Sequence, residues 1–142
     1  MNRLAVDASV AAKWFLPEAH SREAIRALDG QWELHAPDLI WAEVGNSIWK
    51  RWRRRELSQE EGAGILADFR RFLIEIHPSD LLLEGAHKLA THLGCTMYDS
   101  LYAALALRLG CRLLTADRSL YTALHCGSSP VIAHWIGDPL SP

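Results

Sequence analysis

At 142 residues the chain has room for one domain around a single core and is too short for two of ordinary size. Hydrophobic residues make up 49% of it, which excludes a disordered chain, and no apolar run approaches the length of a membrane span. The net charge of −2 selects no partner on its own, but the cations are twelve arginines and three lysines, a bias suited to forked contacts with phosphate.

In chain order, short apolar runs alternate with longer amphipathic ones, the signature of an α/β domain with a central, mostly parallel sheet of four to five strands flanked by helices. Residues 3–7 read as the first strand. Helical segments follow at 9–16 and 18–29, with Gly30 as a C-terminal cap. A strand near 32–36 leads to Pro37, placed in the first turn of a helix running to about 55. Ser58 and Glu61 form a capping box that opens a helix to about 73. Ile74 to His77 alternates as a strand. Ser79 starts a helix that Gly94 ends, and Thr96 opens another that Gly110 ends. Cys111 to Thr115 is a strand, Ser119 to about His125 a helix, and Pro130 to Ala133 an edge strand. Nothing in residues 1–142 reads as a linker or repeat, so a single domain is expected. The start shows no secretory pattern, and the cytoplasm is the expected compartment.

Four acids occupy separate junctions of this pattern: Asp7, Glu43, Asp99 and Asp117. Asp7 and Asp117 follow apolar strand-like runs, and ligands of open α/β sheets bind beyond the C-terminal strand ends. If all four carboxylates converge there, they make an oxygen-only pocket suited to Mg²⁺ or Mn²⁺ and to phosphodiester hydrolysis. Each also fits a plainer role. Asp7, Asp99 and Asp117 stand where helix caps stand, and Glu43 could form a solvent-facing ion pair. Zinc is not expected: three cysteines lack C-x-x-C spacing, and His87 and His92, five apart, do not share a helical face.

The helix from 37 to 55 carries two stripes. Ile40, Val44, Ile48 and Trp52 form a buried one, while Glu43, Asn46 and Lys50 form a polar one that Arg53 and Arg54 prolong. Trp41 and Trp49 lie between the charges, either as core or as surfaces for a base or a partner peptide. Setting the four acids aside turns the net charge from −2 to +2, and five cations cluster between Lys50 and Arg55. Lys50, Arg53, Arg54 and Arg118 are the candidate contacts to a nucleic-acid backbone.

These motifs resemble the PIN domain, and in particular the VapC-type toxins of bacterial toxin–antitoxin pairs. The resemblance spans roughly residues 3–133. It rests on Val6-Asp7-Ala8-Ser9, on Pro37 through Glu43-Val44 with Asn46, on Tyr98-Asp99-Ser100-Leu101-Tyr102-Ala103-Ala104, and on Leu113-Leu114-Thr115-Ala116-Asp117-Arg118-Ser119. It implies that Asp7, Glu43, Asp99 and Asp117 ligate metal, with Ser9, Asn46 and Thr115 as helpers. It further implies an endoribonuclease using one or two Mg²⁺ or Mn²⁺ ions, dimeric, and inhibited by a small cognate antitoxin. The Trp-rich basic helix and the tail from Trp135 to Pro139 depart most from the family pattern. A DNA nuclease of the same chemistry and a non-catalytic metal-containing module are the rival expectations. A phosphotransfer receiver is disfavoured, because Lys13, Lys50 and Lys88 include none that ends a late strand.

Overall fold

The computed structural model describes residues 2–126 and 128–142; Met1 and Gly127 lie outside the description. Strand β1 (Asn2–Val6) holds the centre of a five-stranded sheet. It pairs with β2 (Trp32–Pro37) on one side and β4 (Arg112–Thr115) on the other. The strands β3 (Ile74–His77) and β5 (Ala133–Trp135) form the edges. The order β3-β2-β1-β4-β5 is parallel throughout. A parallel sheet is covered on both faces, which is why Leu4, Ala5 and Val6 run consecutively apolar and are all fully buried.

Helices fill the crossovers. Between β1 and β2 lie α1 (Ala8–Ala11) and α2 (Ser21–Ile25), each extended by a 3₁₀ turn, so the helices expected at 9–16 and 18–29 are shorter and tighter than their patterns suggest. The next crossover holds α3 (Leu39–Arg53) and α4 (Gln59–Arg70). Pro37 closes β2 rather than opening α3: it is the last residue of the strand, in register with His77 of β3. The capping box of α4 is present, with Glu61 N–H donating to Ser58 Oγ and Ser58 N–H to Glu61 Oε1, each at 3.0 Å. Gly62 lets α4 approach α3, since a Cβ there would stand 3.1 Å from Ile48 Cγ2.

After β3, a 3₁₀ turn at Ser79–Leu82 leads to α5 (Leu83–Leu93), then α6 (Met97–Leu109). Gly94 and Gly110 end these helices with φ of +72° and +63°, the left-handed cap that favours glycine. Helix α6 packs across β1, β2 and β4 and under α5, so every residue from Ser100 to Ala106 is buried. Finally α7 (Arg118–His125) leads to β5.

The structure also corrects two other sequence expectations. Ile40, Val44 and Ile48 are buried as expected, but Trp52 is 49% exposed. The last strand forms at Ala133–Trp135, three residues beyond the expected start at Pro130. No helix of the described residues is long and apolar enough to cross a membrane.

Candidate active site

The strand order reverses direction at β1, whose neighbours β2 and β4 belong to different halves of the chain. Such a switch point opens a crevice beyond the strand ends. Asp7 is the first residue past β1 and Asp117 the second past β4. Glu43 projects from α3, which follows β2, and Asp99 from the first turn of α6. All four line one cavity of about 370 Å³, together with Ser9, Asn46 and Lys50. A larger cavity of about 650 Å³ opens at the opposite end of the sheet beside Arg3, Trp32 and Arg112; its lining includes no Asp or Glu.

Asp7 is the most constrained of the four. Its backbone caps α1, but its side chain makes no capping bond. Instead Oδ2 accepts from Ser9 Oγ and from Thr115 Oγ1, both at 2.8 Å. Each hydroxyl is itself fixed by an amide: Ala116 N–H donates to Ser9 Oγ and Asp117 N–H to Thr115 Oγ1, both at 3.0 Å. The loop after β4 is thereby tied to the carboxylate after β1. Burial raises the Asp7 carboxyl from its ordinary 3.8 to about 6. The two hydroxyls oppose that shift, and the carboxylates of Asp99 and Glu43 add to it.

Asp99 sits at the third helical position of α6, where its N–H donates to Thr96 Oγ1 at 3.1 Å. Only this half of the expected capping box is present, so the carboxylate is directed to the cavity rather than back to the cap. Burial, then Asp117 and Glu43, raise its pKa. Asp117 does both things: Oδ1 accepts from Leu120 N–H at 3.2 Å as the cap of α7, and the residue still lines the cavity.

Glu43 forms no ion pair among the described residues, and its Oε1 is buried without a hydrogen-bond partner there. The Tyr102 hydroxyl is likewise buried and unpartnered. Burial, with Asp7 and Glu43 nearby, raises the Tyr102 pKa. The sequence reading missed Tyr102, as it missed Tyr98 and Ser47 on the cavity wall. The signal for Tyr102 was available, since it lies three residues beyond Asp99 and so on the same helical face.

Of the candidate cations, Lys50 lines the cavity, whereas Arg53, Arg54 and Arg118 lie outside its wall. Arg53 sits 5.4 Å over the Trp49 ring, and Arg118 lies 3.7 Å from the Trp135 ring centroid. Arg51 is engaged elsewhere, bonding to Glu18 and to the Pro17 carbonyl, both at 3.0 Å.

Fold and site together define an α/β protein with four carboxylates gathered in one pocket at the switch point of a parallel sheet. The chain belongs to the PIN domain family, whose model matches residues 4–123. Ribonuclease VapC3 of Pyrobaculum aerophilum is 40% identical over 120 residues, covering 83% of this chain and 92% of the relative. Ribonuclease VapC9 of Mycobacterium tuberculosis is 32% identical over 117 residues, covering 82% and 87%. Among solved structures, VapBC2 from Rickettsia felis, bound to a DNA fragment from its promoter, contains a chain of the same fold. It has a TM-score of 0.66 and 14% identity, with 94% of this chain and 98% of that one aligned.

Proposed function

We propose that the protein is an endoribonuclease dependent on Mg²⁺ or Mn²⁺, the toxin of a toxin–antitoxin pair. The observation that carries this reading is the convergence of Asp7, Glu43, Asp99 and Asp117 on one cavity. The donor set is all oxygen, as hard divalent cations prefer. The buried, unpartnered Oε1 of Glu43 is the kind of orphan such an ion would satisfy. These four side chains would hold one or two ions. When bound, a divalent ion supplies Lewis-acid polarisation of the scissile phosphate and a more acidic water.

The chain's own groups do the rest. Ser9 and Thr115 hold the Asp7 carboxylate in one orientation through the amide-anchored hydroxyls. Asp117, tied to α7 by Oδ1, presents its second oxygen from a fixed base. Asn46 and Lys50 on the wall contact the phosphate, and Arg53, Arg54 and Arg118 on the flanks draw the RNA backbone across the opening. RNA is favoured over DNA by the ribonuclease names of the relatives at 40% and 32% identity. A small cognate antitoxin is the partner favoured by the VapBC2 assembly, and a homodimer is the expected state of the toxin.

Purified protein free of antitoxin would be incubated with transfer and ribosomal RNA and with DNA, in Mg²⁺, in Mn²⁺ and in chelator. Metal-dependent RNA fragments are expected, and Asp99→Asn is expected to lose roughly a hundredfold or more of the rate. Cleavage of RNA that survives Asp99→Asn or chelation would sink the reading. Cleavage of DNA alone would replace it with a DNA nuclease.

A further inference from the structure

A second group of ligand-type side chains lies on β2 and β3. The register sets His35 opposite Glu75 and Pro37 opposite His77. By strand alternation, Glu33, His35, Glu75 and His77 therefore share one face. His35 is only 2% exposed, and its Nε2 lies 2.8 Å from Glu33 Oε1. An ionised carboxylate only accepts, so Nε2 carries the proton and Nδ1 keeps its lone pair. That nitrogen faces His77 Nε2 at 2.9 Å and Glu75 Oε2 at 3.7 Å.

We propose that His35, His77 and Glu75 form a site for Zn²⁺ or another imidazole-preferring divalent ion, with Glu33 orienting His35. With metal–nitrogen bonds of about 2.0–2.1 Å in a tetrahedron, ligand atoms stand roughly 3.3 Å apart. The 2.9 and 3.7 Å separations bracket that spacing, and all three ligand atoms already lie within 4.8 Å of one another. Glu75 is exposed and can swing to close the set. A carboxylate on the far nitrogen of a ligating histidine is the usual way its tautomer is fixed. None of the three residues lines the acidic cavity, and the two donor sets sort ions differently: oxygen alone suits Mg²⁺ or Mn²⁺, imidazole suits zinc. Helical spacing has no bearing on this cluster, because 42 residues separate His35 from His77 and only strand pairing joins them.

An ion here clasps the edge strand β3 to β2. The His77 carbonyl accepts from Asp38 N–H at 2.9 Å, at the base of α3, which carries Glu43. The clasp thus braces one wall of the acidic site without entering it.

The test uses untagged full-length protein stripped with chelator, then held in saturating Mg²⁺ and titrated with Zn²⁺ by calorimetry. One equivalent is expected for the wild type and for Asp99→Asn, and Co²⁺ in place of zinc is expected to give the intense visible absorption of a tetrahedral centre. His77→Ala and Glu75→Gln are each expected to bind at least about tenfold more weakly, and Glu33→Gln about 10–100-fold more weakly. Glu75→Gln changes an exposed side chain, so circular dichroism separates loss of ligand from loss of fold. Absence of saturable zinc binding would overturn the proposal. Equal binding by His77→Ala, or binding abolished by Asp99→Asn, would do so as well by placing the ion elsewhere.

Discussion

The Asp7 carboxyl is pulled both ways, by burial toward the neutral acid and by two hydroxyl donors toward the carboxylate, and burial prevails. Its folded pKa of about 6 lies above the unfolded value of 3.8. The resulting stability is fully present below pH 3.8 and is lost as pH rises through about 6. The shift corresponds to roughly 3 kcal/mol, since one pKa unit is about 1.4 kcal/mol. Metal-free Asp7→Asn should therefore gain on the wild type as pH climbs from 4 to 7, becoming more stable by about 1–3 kcal/mol. Melting both proteins in chelator across that range checks it, and a pH-independent difference would mean that burial does not set this pKa. Thr115 provides a second test at the same spot. Thr115→Val removes a donor to Asp7 and strands the half-buried Asp117 amide, costing about 1–3 kcal/mol in urea unfolding, whereas Thr115→Ser keeps both bonds.

At the scale of elements, α3 shows where a pattern misleads. Ile40, Val44, Ile48 and Trp52 recur every four residues, but a helix turns 3.6 residues at a time. Each step of four drifts about 40°, so by the third step Trp52 has rotated about 120° from Ile40 and faces outward. Ile48→Ala should cost about 2–5 kcal/mol, since the side chain is buried and α4 presses on it through Gly62. Trp52→Ala should cost less than about 1 kcal/mol, and a comparable loss at both positions would restore the four-residue stripe. The ends of α4, α5 and α6 were legible because Ser58, Gly94 and Gly110 carry local chemistry that stops or starts a helix whatever surrounds it. The last strand was not, because its position is set by pairing: β4 takes Ala133, His134 and Trp135 as partners, a choice no local propensity of Pro130 to Ala133 could reveal.

Across the whole molecule, the acidic site was legible for a topological reason. Asp7 and Asp117 come just after strands, and parallel strands deliver the residues at their C-terminal ends to the same edge of the sheet. Glu43 and Asp99 arrive from helices, and the fact that their carboxylates reach the same cavity is a product of packing that spacing alone left open. The His35–His77 pair was invisible for the same reason, since register is its only link. Convergence of like charges makes a global prediction. Without an ion, four carboxylates oppose one another, and burial raises both Asp7 and Asp99. Mg²⁺ binding to the folded chain alone should stabilise it by about 2.7 kcal/mol at a hundredfold excess over Kd, a rise in melting temperature of about 5–10 °C. The rise should be large at pH 7.5 and should shrink toward pH 5, where Asp7 holds its proton and the ion must displace it. It should also shrink at pH 7.5 in Asp99→Asn and vanish with chelator. A rise that is the same at pH 5 and 7.5 would show that Mg²⁺ acts on the exterior of the molecule and not on these carboxylates.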